Sequence, residues 1–82
     1  MIRILIVDDE KIERNGIKFL LKQLHMEAQI REAVNGVKAL DALEEEPADI
    51  LLTDIKMPFM DGLTLAENVV EKYPQTKMVI FS

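Results

Sequence analysis

Apolar residues along this chain alternate between short continuous runs and stripes at helical spacing. Ile2 to Val7 is apolar at every position except Arg3, as expected of a strand covered on both faces, with the Arg3 stem snorkelling at its open end. From Lys11 to Leu24, the residues Ile12, Ile17, Phe19, Leu20, Leu21 and Leu24 recur at helical spacing, with Lys18, Lys22 and Gln23 on the other side. That pattern predicts a first amphipathic helix with Phe19 in the core. Ala28 to Ala33 reads as a short second strand. Val37, Leu40 and Leu43 then mark a helix capped by Asn35 and stopped by Glu44 to Glu46 and Pro47. Ile50 to Thr53 is a third buried strand ending in Asp54, followed by the turn signals Met57-Pro58 and Asp61-Gly62. Leu63, Ala66, Val69 and Val70 form a third helix that Tyr73-Pro74 ends, and Met78 to Phe81 is a fourth strand.

Strand and helix signals that alternate from end to end predict an α/β fold with a parallel sheet. No linker, repeat or low-complexity stretch interrupts them. If the crossovers are right-handed and the sheet order reverses beside the first strand, the first and third strands become neighbours.

Composition narrows the class without naming a function. Eighty-two residues, 49% apolar and 30% charged, make one globular unit. The apolar runs Ile4 to Val7 and Ile50 to Leu52 fall far short of the roughly 20 residues needed to cross a membrane. No signal-peptide pattern is present, so a cytoplasmic location is expected, with no membrane contact. Cysteine is absent, which excludes disulfides and thiolate metal sites. A net charge of −5 with no basic run excludes direct nucleic-acid binding by this segment.

Candidate chemistry lies with the acids. Asp8, Asp9 and Asp54 fall at the carboxyl ends of the first and third predicted strands, the edge where open parallel sheets place ligands. Acids after a strand also serve as solvated loop or cap residues, and their combination is what points to a site. Two carboxylates about 4 Å apart repel by about 4 kcal/mol at an effective dielectric near 20, so their convergence calls for a cation. An all-oxygen donor set favours a hard, partly hydrated ion such as Mg²⁺ or Mn²⁺.

Three segments then carry a family resemblance: Ile4-Leu5-Ile6-Val7-Asp8-Asp9-Glu10, Ala33-Val34-Asn35-Gly36, and Thr53-Asp54-Ile55-Lys56-Met57-Pro58-Phe59-Met60-Asp61-Gly62. In this order and spacing they resemble the receiver domains of bacterial two-component response regulators, over Ile2 to Ser82. The resemblance implies a flavodoxin-like (CheY-like) doubly wound parallel sheet of strand order 2-1-3-4. It implies that Asp54 accepts a phosphoryl group from a sensor histidine kinase and that Asp8 and Asp9 are the metal-binding pair. It further implies that the Lys56 backbone carbonyl coordinates the Mg²⁺ beside Asp54, and that the Ser82 hydroxyl turns toward the phosphoryl group on activation. Such a module catalyses only its own phosphorylation and dephosphorylation. It would switch an output domain on the same chain, expected to be a helix-turn-helix transcription regulator of the arabinose-regulator type.

One departure matters. The family uses a lysine at the end of a fifth strand, and residues 1–82 stop before it, so the unit is expected to lack the fourth helix, fifth strand and fifth helix. Its fourth strand would be an exposed edge and its first helix partly bare, which predicts self-association. Two other functions fit parts of the pattern. A receiver-like dimerisation module would never be phosphorylated, yet Asp8, Asp9 and Asp54 are all in place. A haloacid-dehalogenase-type phosphatase needs a second acid two residues after its nucleophile, where this chain has Lys56. Elsewhere, His25 reads as a surface residue at a helix end, Glu10 as a first-turn acid, and Met57, Met60 and Met78 as packing residues. Asn35-Gly36 reads as a cap and not as a phosphate loop, and Met57-Pro58 as trans.

Overall fold

The run Ile4 to Val7 is fully buried, and it is the middle of the structure. The computed structural model describes residues 1–81; Ser82, the expected switch hydroxyl, lies outside the described residues. Strands β1 (Ile2–Val7), β2 (Ala28–Ala33), β3 (Ile50–Asp54) and β4 (Lys77–Phe81) form one parallel sheet in the order β2-β1-β3-β4. The crossovers are α1 (Lys11–Gln23), α2 (Gly36–Glu45) and α3 (Gly62–Lys72). This is the expected flavodoxin-like order, and β1 has neighbours on both sides, as its unbroken apolar run requires.

Because side chains alternate along a strand, β1 feeds two layers. Leu5 and Val7 join Leu51, Ala39, Leu43, Leu65 and Val69 in the core beneath α2 and α3, with Met57, Met60 and Met78 packed against it. Ile4 and Ile6 face the opposite side, where the right-handed crossover from β1 to β2 places α1. No residue of α1 is buried. Phe19, expected in the core, is 61% exposed, and Ile12, Leu20 and Leu24 are exposed as well. Of the predicted apolar stripe only Ile17 and Leu21 are half-buried, and Lys18, expected on the other side, is half-buried with them. Helix α1 has no second helix beside it on its face of the sheet among the described residues, and Phe19 stays open. Val79 of the edge strand β4 is also exposed.

Polar groups fix the ends of the elements. Asn35 Oδ1 accepts the Lys38 N–H and Asp61 Oδ1 the Thr64 N–H, each at 2.8 Å, capping α2 and α3. Helix α1 lacks a side-chain cap at its start, where Glu10 stands. At its other end His25 has φ 55°, its N–H donating to Lys22 O at 3.0 Å and the Met26 N–H to Leu21 O at 3.4 Å. These two bonds make a Schellman termination with histidine in the left-handed position. At the far edge of the sheet, Arg3 and Asp49 exchange main-chain and side-chain bonds that tie the starts of β1 and β3 together. No helix among the described residues is long and apolar enough to cross a membrane.

Candidate functional site

Parallel pairing sets Val7 opposite Thr53. The next residues, Asp8 and Asp54, therefore emerge side by side at the carboxyl edge of adjacent strands. Asp8 is fully buried. Its N–H donates to Ala33 O at 3.1 Å, and its Oδ1 accepts the Glu10 N–H at 2.9 Å. Its Oδ2 is buried with no hydrogen-bond partner. Asp54 is half-buried, with Oδ1 accepting the Ile55 N–H at 2.7 Å.

A third carboxylate joins them from the first turn of α1. One carboxylate oxygen from each of Asp8, Glu13 and Asp54 lies within 4.8 Å of the other two. The charges act on each other as such proximity requires. Burial pushes the Asp8 carboxyl above its ordinary range, the Glu10 N–H opposes this, and the charges of Asp54 and Asp9 push it further up. Glu13 is also pushed up, first by the charge of Asp8 and then by its own partial desolvation. An unpaired buried carboxylate oxygen is costly on its own. Its carboxylate belongs with two further carboxylates in a set made only of oxygen donors, and such a set fits a hard divalent cation.

The structure brings Asp8 and Asp54 together as the sequence predicts. Asp9 is exposed and stands outside the group of three, and Lys56 is exposed in the loop that follows Asp54. Glu13 escaped the sequence reading. Its only signal there is its place five residues after Asp8, early in the helix that follows the acidic pair.

The loop after Asp54 is tightly anchored. The Ile55 N–H donates to Phe81 O at 3.2 Å, and the Gly62 N–H to Ile55 O at 2.8 Å. Met57-Pro58 is trans, since no described peptide bond is cis. Met60 lies over Gly36, where a Cβ would sit 2.8 Å from the Met60 sulfur. The glycine of Asn35-Gly36 thus makes room for the loop at the start of α2.

Comparison with known proteins gives a consistent picture. The family model for the response regulator receiver domain matches residues 4–82. The chain is 38% identical over its whole length to the chemotaxis protein CheY of Listeria monocytogenes, of which it covers 68%. It is 30% identical over 98% of its length to the uncharacterized transcriptional regulatory protein YhcZ of Bacillus subtilis, spanning 37% of that protein. Among solved structures, a two component transcriptional regulator AraC from Clostridium phytofermentans superposes with a TM-score of 0.89 at 37% identity, covering 98% of this chain and 65% of that one. The response regulator TrrA of Thermotoga maritima, solved in complex with Mg²⁺-BeF, gives a TM-score of 0.88 at 34% identity, covering 98% of this chain and 68% of that one.

Proposed function

This chain belongs to the response regulator receiver domain family, and we propose that it is a phosphorylation switch in which Asp54 accepts a phosphoryl group from a sensor histidine kinase. The observation that carries this reading is the buried Asp8 carboxylate, one of whose oxygens has no hydrogen-bond partner, brought within 4.8 Å of carboxylate oxygens of Asp54 and Glu13 at the carboxyl edge of the sheet.

Phosphoryl transfer needs an in-line nucleophile and compensation for charge spread over three equatorial oxygens. The Ile55 N–H holds Asp54 Oδ1, and among the described residues Oδ2 carries no hydrogen bond, so it is the oxygen that attacks. Its lone pair forms the new P–O bond as the P–N bond of the donor phosphohistidine breaks, the electron pair returning to the imidazole nitrogen. The product is an aspartyl phosphate. Asp8, Asp9, Asp54 and the Lys56 carbonyl are the groups proposed to hold Mg²⁺ or Mn²⁺, with Glu13 beside them. Bound there, the cation neutralises the acids and the transferred phosphoryl oxygens. That the similar Thermotoga response regulator was solved in complex with Mg²⁺-BeF supports Mg²⁺ as the cation. Ser82 is the proposed hydroxyl that reads the phosphorylated state.

The relatives carry different outputs beyond the region they share with this chain. They include transcriptional regulatory proteins, a protein-glutamate methylesterase and a sensor kinase. We favour a DNA-binding transcription output, supported by the similarity to the Clostridium regulator. On this reading residues 1–82 are one receiver unit whose remaining helices and fifth strand follow in the parent chain, and the protein works in the cytoplasm. The test treats the full-length protein with acetyl phosphate and Mg²⁺. A phosphate-sized mass increase that Asp54→Asn abolishes is expected. No modification would favour an inert dimerisation module, and sustained hydrolysis of phosphate esters would favour a phosphatase.

A further inference from the structure

Helix α1 carries Glu13 into the acid cluster yet has no buried residue to fix its rotation or height above the sheet. Something other than apolar packing must hold its first turn. Arg14 is the residue placed to do so. Its side chain is only 11% exposed. Nη1 donates to the Asp8 carbonyl oxygen at 2.7 Å, and Nε donates to Glu32 Oε1 at 2.8 Å. The other Glu32 oxygen accepts from Lys18 Nζ at 2.9 Å.

Glu32 precedes Ala33 on β2, and Ala33 O accepts the Asp8 N–H. Asp8 is therefore held by its N–H through β2, by its C=O through Arg14, and by Oδ1 through the Glu10 N–H. Oδ2 alone is left free. The planar fork of a guanidinium serves two acceptors in a fixed geometry, which a lysine ammonium does not reproduce.

We infer that Arg14 is a positioning residue of the acid site: it pins the Asp8 peptide and the first turn of α1 to Glu32, so that Asp8 Oδ2 and the Glu13 carboxylate are aimed at a common cation. This inference rests on the reading of that cluster as the Mg²⁺ site of a receiver. Groups that orient metal ligands from behind are commonly worth tenfold or more in metal affinity.

The sign of the effect separates positioning from simple electrostatics. Removing a positive charge near an acidic site should tighten cation binding. Removing a positioning residue should weaken it. The experiment is titration calorimetry of Mg²⁺ into the full-length protein, its R14Q, R14K and K18Q variants, each checked by a cooperative thermal melt. Lys18 shares Glu32 with Arg14 but does not bond to Asp8, so K18Q is the charge control. R14Q is expected to raise the Mg²⁺ Kd about tenfold, R14K to fall between it and the wild type, and K18Q to stay within about twofold of wild type or bind tighter. An R14Q Kd equal to or below that of the wild type overturns the inference, as does K18Q weakening binding as much as R14Q does. Should R14Q lose its cooperative melt, R14K decides: a wild-type Kd in R14K overturns the inference and a raised one supports it. If the wild-type protein itself binds no Mg²⁺, the reading of the cluster falls and this inference with it.

Discussion

Gly62 lies directly against the main chain of Asp54: a Cβ on Gly62 would run into the Asp54 carbonyl oxygen and come within 3.0 Å of the Ile55 Cα. The Gly62 N–H also donates to Ile55 O at 2.8 Å. The start of α3 is thus seated on the backbone that presents the acceptor carboxylate. Backbone cannot give way as a flexible side chain can. Gly62→Ala is expected to cost about 2 kcal/mol in stability, within the range for overpacked sites. It should also slow acetyl-phosphate labelling of Asp54. Denaturant unfolding and intact-mass kinetics on the full-length protein check both, and a variant of unchanged stability and labelling rate would show that the loop is loosely held.

The elements that position this site are the ones the sequence made readable. The unbroken run Ile4 to Val7, the cap signal at Asn35 and the turn signal at Asp61-Gly62 have local physical causes, and β1, α2 and α3 form where those signals stand, Asp61 itself capping α3. The meeting of Asp8 with Asp54 followed from parallel register between neighbouring strands. Glu13 did not follow, because whether an exposed helical acid faces the site depends on how α1 rotates over the sheet. The same limit explains Phe19: helical spacing predicts that α1 forms, but which of its residues pack depends on how it rotates over the sheet and on what covers it.

The termination of α1 is a place where one substitution should stabilise the protein. His25 occupies the left-handed position of the Schellman turn at φ 55° and is exposed, so it gives up few contacts when replaced. Side chains with a Cβ are strained there and glycine is not. His25→Gly is expected to gain about 1 kcal/mol, less the entropy that glycine adds to the unfolded chain. Urea midpoints compare the two, and a lower midpoint for the glycine variant would refute the strain argument.

Acid sensitivity should come partly from two carboxylates outside the site. Hydrogen bonds from the Arg3 side chain and N–H hold Asp49 below its ordinary 3.8, and Lys18 and Arg14 hold Glu32 below its ordinary 4.5. A depressed folded-state pKa contributes stability that is fully present above the unfolded value and is lost as pH falls through the folded one. The urea midpoint is therefore expected to decline as pH drops below about 4, and Asp49→Asn together with Glu32→Gln should flatten that decline. An acid limb of unchanged slope in the double variant would assign the sensitivity to other groups.

Metal binding and charge repulsion make opposite demands on Glu13, and this allows its role to be read from melting curves alone. Without a cation, Glu13 stands beside the buried Asp8 and the half-buried Asp54, and the charge of Asp8 raises its pKa. Glu13→Gln removes that repulsion, so the metal-free protein should melt at a higher temperature. With Mg²⁺ at about 100 times its Kd, binding to the folded state alone adds about 2.7 kcal/mol. Loss of one exposed charge should raise that Kd about two- to fivefold and shrink the increment. The expected result is a crossing: the variant is more stable in chelator and gains less from Mg²⁺ than the wild type. Asp8→Asn should abolish the gain altogether. If Glu13→Gln lowers both melts together, Glu13 supports the helix and takes no part in holding the cation.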